Sequence, residues 1–279
     1  MRVGVVGLGT MGAGIAQISL TGGHETIGRE VSDELAARGR ETIERYLGRN
    51  VEKGRMSSAE RDAALARLTL ATDLSDLAEC DLVIEAVLEE LELKREVFAE
   101  LDRICRADAI LATNTSALSV TSIAEATAHP ERVIGMHFFN PAPVLPLVEI
   151  VRTAKSSDVA VDTAYEWAER AGKQPVRCND TPGFIVNRIL IPLLNDCVRA
   201  LAETGVEPQE MDRAMTNGAG WPMGPCALID LIGIDIHVHA SEALHAKLGE
   251  ERIAPPERLL EMQSEGRLGR RTGRGFYEY

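Results

Sequence analysis

A histidine and a glutamate flank a proline-containing turn in the segment GMHFFNPAPVLPLVEIV, residues 135–151. His137 ends an apolar run, and Glu149, the next ionisable residue, stands between hydrophobic residues. Imidazole changes its charge near neutral pH, so such a pair could be a general base and the carboxylate that orients it. A buried ion pair with no catalytic role would have the same sequence signature. The segment by itself leaves both interpretations open.

A glycine-rich segment near the N-terminus, VVGLGTMGAGIA, has the spacing G-x-G-x-x-G. It follows a predicted buried strand over 2–6 and opens a predicted helix over 10–21. In that context the first glycine permits a tight turn, the second lets the backbone approach a pyrophosphate, and the third lets helix and strand pack closely. The helix N-terminus adds N–H groups and positive dipole for the phosphates. We therefore predict dinucleotide binding by Gly7, Leu8, Gly9, Thr10, Met11 and Gly12.

Glu30 follows the second predicted strand, at about 24–29, where dinucleotide-binding folds place an acid that binds the ribose 2′-hydroxyl. A carboxylate at this place repels a 2′-phosphate, which favours NAD over NADP. Arg29 and Arg38 lie nearby in the sequence and weaken this preference, so NADP remains an alternative. Glu30 could also be an ordinary surface residue at a strand end.

Predicted strands and helices alternate over the first part of the chain. The strands are predicted at 2–6, 24–29, 81–87, 109–114, 132–138 and 146–151, and the helices at 10–21, 32–54, 57–67 and 90–105. This alternation predicts an α/β fold with a Rossmann-type, doubly wound, mostly parallel sheet. After Pro182 the pattern is helical, over 184–204, 208–217, 226–248 and 255–265. We predict a dinucleotide-binding domain over 1–182 and an all-α C-terminal domain over 183–279.

The composition of the chain restricts the kinds of partner that it can bind. With 43 acidic and 30 basic residues the net charge is −13, which argues against nucleic acid or an anionic membrane as the main partner. We find no secretory leader, and no apolar run approaches the roughly 20 residues that span a bilayer. Five cysteines without C-x-x-C spacing indicate reduced thiols in a cytoplasmic protein. The scattered His and Cys residues show no metal-binding signature.

Ordered motifs along nearly the whole chain resemble the 3-hydroxyacyl-CoA dehydrogenases, and most closely the bacterial 3-hydroxybutyryl-CoA dehydrogenases. They are GLGTMGAGIAQ, DLVIEAV, TNTSALSV, GMHFFNPAPVLPLVEIV, TPGFIVNRILIPLLND, WPMGPCALIDLIGID and LGRRTGRGFYEY. The resemblance implies an oxidoreductase of fatty acid metabolism that interconverts (S)-3-hydroxyacyl-CoA and 3-oxoacyl-CoA with NAD. It also implies short acyl chains such as hydroxybutyryl, and a homodimer whose C-terminal domain closes over the cofactor cleft.

The resemblance assigns roles to individual residues. His137 becomes the general base and Glu149 the carboxylate that orients it, while Ser116 and Asn187 bind the reacting oxygen or the thioester carbonyl. Judged from the residues alone, Ser116 could simply cap a helix and Asn187 could be a helix-surface amide. Cofactor contacts are implied at Glu89, Lys94, Asn140 and Arg271. At the last of these positions the family usually has lysine, so the geometry of that contact would differ.

A basic stripe follows one face of the predicted helix over 32–54. Arg45, Arg49 and Lys53 stand at i, i+4 and i+8, and Arg55 follows. An acidic protein that binds coenzyme A needs such a local patch for the phosphates. Lys53 also matches the substrate-binding lysine of the family. The alternative is a solvated helix face whose charge is balanced by neighbouring glutamates.

Two other functions remain to be distinguished. The first is a relative that acts on a free sugar acid, on another hydroxy acid or on a carrier-bound acyl chain, and the basic stripe favours coenzyme A over these. The second is an NAD-binding module without catalysis. The complete set of Ser116, His137, Glu149 and Asn187 argues against it, because such a module needs no base.

Overall fold

The computed structural model describes all 279 residues, which form two compact units, Met1–Thr181 and Pro182–Tyr279. Unit 1 contains an eight-stranded sheet with helices between most of its strands. The strands are β1 (Arg2–Val6), β2 (Glu25–Arg29), β3 (Leu68–Ala71), β4 (Leu82–Glu85), β5 (Ile110–Thr113), β6 (Val133–Phe138), β7 (Leu147–Arg152) and β8 (Gln174–Asn179). The helices are α1 (Thr10–Thr21), α2 (Asp33–Glu52), α3 (Ser58–Leu65), α4 (Leu91–Ile104), α5 (Val120–Ala124) and α6 (Asp158–Arg170).

The strand order is β3-β2-β1-β4-β5-β6-β7-β8. The first six strands are parallel to their neighbours, β7 is antiparallel to β6, and β8 is parallel to β7. The predicted Rossmann-type, mostly parallel sheet is therefore confirmed. Central strands such as LVIE and ILAT are apolar and buried at every position, because helices cover both faces of a parallel sheet. The order reverses between β1 and β4, where folds of this kind bind their ligands beyond the carboxyl ends of the strands.

The sequence analysis does not predict β3 or β8, the two edge strands. An edge strand has only one neighbour, so it does not need the continuous apolar run that identifies a central strand. In β8 the sequence QPVRCN is largely exposed and contains Pro175, a residue that sheets accept mainly at their edges. The helices α5 and α6 were not predicted either.

Unit 2 is helical, as predicted. Its helices are α7 (Val186–Thr204), α8 (Pro208–Gly218), α9 (Pro225–Ile232), α10 (Ile234–Leu248) and α11 (Glu257–Ser264). The single helix predicted over 226–248 is wrong, because Gly233 interrupts it with a φ of +106°. Glycine adopts this conformation without steric penalty, and the apolar pattern continues across the break and hides it. No helix in the chain has both the length and the apolar character that crossing a membrane requires.

Candidate active site

His137 and Glu149 are direct cross-strand partners. The antiparallel register of β6 and β7 sets the two residues opposite each other, and His137 Nδ1 lies 2.7 Å from Glu149 Oε2. The histidine is only 3% exposed and the glutamate is fully buried. A carboxylate accepts hydrogen bonds, so Nδ1 carries a hydrogen, and in the neutral ring the lone pair is then on Nε2. The pair therefore has the tautomer that a general base needs, and a fixed ring orientation.

Ser116 lies on the other side of the imidazole. Its Oγ is 3.0 Å from His137 Nε2, and the residue is exposed in the loop after β5. The same loop is joined to β6 by Asn114, whose Oδ1 accepts a hydrogen bond from the Phe138 amide at 3.0 Å. The ring of Phe139 packs against the imidazole, with centroids 4.4 Å apart. Unit 1 thus brings three of the four predicted catalytic residues into one hydrogen-bonded array.

The glycine loop has the geometry that phosphate binding requires. Gly7 has a φ of +87°, and a Cβ at Gly12 would overlap the Gly7 carbonyl oxygen. At Gly9 no atom lies within 4 Å of the place that a Cβ would occupy, so a ligand can reach the backbone. The N-terminus of α1 has no side-chain cap and no acidic residue in its first turn. Its N–H groups and positive dipole therefore suit the pyrophosphate of NAD.

The side chain of Leu8, within this loop, is almost fully buried. It fills a space that exists only because two neighbours are glycines. A Cβ at Gly28 in β2 would come within 2.8 Å of Leu8 Cδ1, and a Cβ at Gly39 in α2 would overlap Leu8 Cβ. The sequence analysis missed this dependence. The sequence contained a signal for it: a bulky residue stands inside the glycine motif, and glycines without another explanation stand in the next strand and helix.

Glu30 lies directly after β2 and reaches back to the glycine loop. Its Oε1 accepts a hydrogen bond from the Leu8 amide at 2.6 Å. The two arginines near it in sequence have other partners. Arg38 pairs with Glu34 at 2.6 Å, and Arg29 donates to the carbonyl oxygen of Thr72. Both guanidinium groups therefore have hydrogen-bond partners within the chain.

Glu89 and Lys94 belong to one network beside the Ser116 loop. Glu89 Oε1 accepts from the Ser116 amide at 2.9 Å, and its Oε2 lies 3.4 Å from Lys94 Nζ. Lys94 is fully buried and contacts Glu85 Oε1 at 2.6 Å. Burial raises the pKa of the Glu85 carboxyl, and the ammonium of Lys94 opposes that shift. The sequence analysis named Glu89 and Lys94 but missed Glu85, because a glutamate inside an apolar strand has no motif of its own.

Asn140 is exposed at the start of the loop that joins β6 to β7. A buried lysine holds this loop: Lys173 Nζ donates to the carbonyl oxygens of Ala142 at 2.5 Å and Leu145 at 3.0 Å. Burial lowers the pKa of Lys173. On the other side, Pro143 packs against Gly14 of α1. Two packed elements thus support the segment that presents Asn140.

The basic stripe is exposed along α2 and just beyond it. Arg45, Arg49, Lys53 and Arg55 form no ion pair with any carboxylate of the chain. The nearby Glu44 pairs with Arg40 instead, at 2.8 Å. The alternative interpretation was that neighbouring glutamates balance the charges of the stripe. The structure shows no ion pair between these glutamates and the four basic residues.

Two predicted site residues belong to unit 2. Asn187 is half-buried in the first turn of α7. Arg271 is in the short 3-10 turn Arg270–Thr272, where its guanidinium pairs with Asp235 at 2.7 Å.

Comparison with known proteins adds independent information. Residues 2–181 match the sequence model of the 3-hydroxyacyl-CoA dehydrogenase NAD binding domain, and residues 183–279 match that of the C-terminal domain of the same family. A 3-hydroxybutyryl-CoA dehydrogenase of Mycobacterium tuberculosis is 45% identical over 280 residues, which covers all of this chain and 98% of the relative. A probable 3-hydroxybutyryl-CoA dehydrogenase of Deinococcus radiodurans is 42% identical, with both chains covered completely.

A solved structure agrees with these matches. The crystal structure of the (S)-3-hydroxybutyryl-CoA dehydrogenase from Ralstonia eutropha superposes with a TM-score of 0.95 at 39% sequence identity, covering all of this chain and 98% of that one. Both domain models match in order, and the relatives match along their whole length. The chain therefore belongs to the 3-hydroxyacyl-CoA dehydrogenase family.

Proposed function

We propose that this protein is an NAD-dependent (S)-3-hydroxyacyl-CoA dehydrogenase that acts on short acyl chains such as 3-hydroxybutyryl-CoA and acetoacetyl-CoA. The observation that carries the proposal is the hydrogen-bonded array Ser116–His137–Glu149, with contacts of 3.0 and 2.7 Å. The array lies at the carboxyl end of the parallel strands, where folds of this class bind their ligands. The names of the relatives support the acyl-CoA substrate.

The three side chains have complementary tasks in this proposal. During oxidation of the alcohol, His137 Nε2 takes the proton of the substrate 3-hydroxyl. In the reverse reaction the imidazolium returns this proton. Glu149 stabilises the imidazolium and keeps Nδ1 protonated. Without substrate the Ser116 hydroxyl hydrogen-bonds to Nε2; when the substrate hydroxyl takes that place, Ser116 turns its one hydrogen to the reacting oxygen and fixes its position. NAD, when bound, supplies the hydride acceptor.

The chain's own residues favour NAD over NADP in this proposal. Glu30 places a carboxylate beside the glycine loop, where it binds a ribose hydroxyl and repels a 2′-phosphate. Arg38 pairs with Glu34 and Arg29 donates to the carbonyl oxygen of Thr72, so both guanidinium groups already have partners within the chain. The loop itself, from Gly7 to Gly12, binds the pyrophosphate.

The first experiment is reduction of acetoacetyl-CoA, followed at the nicotinamide absorbance, with NADH and NADPH in parallel. We expect activity with NADH that His137→Gln abolishes. A protein that binds NADH but reduces no acetoacetyl-CoA would contradict the proposal. Turnover of a free 3-hydroxy acid or a carrier-bound acyl group would then identify the alternative substrate class.

Coenzyme A phosphates are the proposed ligands of the basic stripe, with Lys53 as the main contact. An exposed ion pair contributes up to about 1 kcal/mol, so Lys53→Ala should raise the KM for acetoacetyl-CoA about fivefold. Acetoacetyl-pantetheine lacks the nucleotide phosphates, and its KM should not change. Arg40→Ala is the matched control, because Arg40 is ~180° around the helix from Arg49 and pairs with Glu44. An unchanged KM for acetoacetyl-CoA in Lys53→Ala would show that the stripe is ordinary surface, and an equal rise for both thioesters would show that Lys53 does not act on the nucleotide phosphates.

The roles of unit 2 remain predictions of the family resemblance. We propose that residues 1–182 bind the dinucleotide and that residues 183–279 close the cleft and form a homodimer, with Asn187 at the substrate and Arg271 at the cofactor. Three apolar side chains of the helical domain are at least half exposed, Ile189, Leu231 and Ile236, and we propose that they take part in the dimer contact. All five cysteines are free thiols and four are buried, which supports a reducing, cytoplasmic location.

A further inference from the structure

Glu85 is a buried carboxylate that the proposed chemistry does not use. It ends β4, is fully buried, and uses both oxygens. Oε1 accepts from Lys94 Nζ and from the Val87 amide, each at 2.6 Å, and Oε2 accepts from Thr113 Oγ1 at 2.7 Å. These partners belong to α4, to the loop before α4 and to the end of β5. One side chain thus joins three segments at the carboxyl edge of the sheet.

Lys94 extends this junction towards the exposed side of the site. Its ammonium lies 3.4 Å from Glu89 Oε2 and 3.5 Å from the carbonyl oxygen of Asn114. An ammonium between two carboxylates is attracted by both, so it restricts the position of each carboxylate. Glu85 therefore determines where Lys94 lies, and Lys94 determines where the carboxylate of Glu89 lies.

Glu89 in turn holds the loop that contains the catalytic serine. Its Oε1 accepts from Thr115 Oγ1 at 2.5 Å, from the Ser116 amide at 2.9 Å and from the Ala117 amide at 3.3 Å. The hydroxyl of the same Ser116 contacts His137 Nε2 at 3.0 Å. A continuous series of polar contacts thus leads from the interior of the sheet to the reacting groups.

We propose that Glu85 is a positioning residue for Ser116, acting through Lys94 and Glu89; this inference rests on the proposed function. Breaking a buried ion pair would destabilise any fold, so loss of stability by itself is not informative. The specific consequence is a displaced Ser116 hydroxyl. A small displacement of a positioned group lowers the rate of the chemical step and leaves substrate binding largely intact.

The test is a double-mutant cycle between Glu85→Gln and Ser116→Ala, measured as kcat for NADH-dependent reduction of acetoacetyl-CoA. Glutamine keeps the shape of Glu85 but removes the charge that holds the Lys94 ammonium, and its amide accepts hydrogen bonds at one end only, whereas the carboxylate accepts at both. We expect kcat to fall about tenfold or more in the wild-type background. In the Ser116→Ala background the same change should lower kcat less than about twofold, because the group being positioned is absent. The KM for acetoacetyl-CoA should change little in either case.

A matched comparator separates positioning from general destabilisation. Asp102 also forms a buried ion pair from α4, with Arg132 at 2.7 Å, but its hydrogen bonds connect the other end of that helix to residues 128–132. Asp102→Asn should lower the melting temperature and leave the kcat of the folded protein unchanged. If Glu85→Gln does not fold, the variant Glu85→Gln/Lys94→Met removes both charges and avoids an unpaired buried ammonium. It should show the same coupling to Ser116→Ala.

Two outcomes overturn the inference in an active enzyme: an unchanged kcat in the Glu85 variants, or equal fold-losses with and without the serine hydroxyl. Wild-type protein that binds NADH but does not reduce acetoacetyl-CoA overturns the proposed function instead, and this inference with it. The two failures are therefore distinguished by the wild-type assay alone.

Discussion

Replacing Glu149 by glutamine tests the central pair of the site. The substitution keeps the size of the side chain but removes the negative charge that lies 2.7 Å from His137 Nδ1. It also allows an amide hydrogen to point at Nδ1, which would move the ring hydrogen to Nε2 and block the base. Oxidation of the alcohol creates an imidazolium, so the loss should appear in kcat rather than in KM.

The size of the effect follows from the geometry. With charge spread over ring and carboxylate, an N···O contact of 2.7 Å places the two charge centres about 4 Å apart. At an effective dielectric constant of about 20, opposite unit charges at ~4 Å attract each other by about 4 kcal/mol. Because about 1.4 kcal/mol corresponds to a factor of ten, kcat for oxidation should fall about a thousandfold.

The assay is oxidation of (S)-3-hydroxybutyryl-CoA with NAD, followed as the increase in nicotinamide absorbance. Glu166→Gln is the matched control, since Glu166 is exposed on α6 and pairs only with Arg170. It should leave kcat unchanged. A folded Glu149→Gln protein that retains more than about a tenth of wild-type kcat would refute the reasoning, because the charge would then contribute less than about 1.4 kcal/mol.

Three further predictions concern the cofactor loop and the helical unit. Glu30→Ala should raise the ratio of kcat/KM for NADPH to that for NADH at least about tenfold, because it removes both a charged hydrogen-bond acceptor and the repulsion of a 2′-phosphate; an unchanged ratio would contradict this role. Gly28→Ala should raise the KM for NADH by pushing Leu8 and its loop aside, and the double variant Leu8→Ala/Gly28→Ala should restore it, because alanine at residue 8 lacks the Cγ and Cδ atoms that the new Cβ would meet. Burial lowers the pKa of His237 to about 4. Below about pH 6.5 the unfolded chain therefore binds a proton at this residue, and the folded protein does not. The free energy of unfolding should then fall by about 3 kcal/mol between pH 7 and pH 4, and denaturant titration of His237→Gln should lack that part of the decrease.

Local patterns identified most of the fold and many of the site candidates. The apolar runs and their alternation with helices predicted the central strands, because parallel strands are buried on both faces. The glycine spacing after β1 predicted the phosphate-binding turn, since the positive φ of Gly7 and the contact of Gly12 with the Gly7 carbonyl arise within the turn itself. The same reasoning failed where those local requirements are relaxed. The edge strands β3 and β8 need no apolar run, and Gly233 breaks an apolar helical pattern without altering its period.

The amino-acid sequence by itself determined the residue types at the site, the class of fold and the family, because these depend on composition, on periodicity and on ordered motifs. The tertiary structure alone decided which side chains meet. His137 faces Glu149 only because β6 and β7 pair antiparallel in one register, and a shift of one residue would turn one of them to the opposite face. The contacts of Glu85 with α4 and β5 depend in the same way on strand order. The segment 135–151 suggested the pair of His137 and Glu149, but only the packed sheet brings the two side chains within hydrogen-bonding distance.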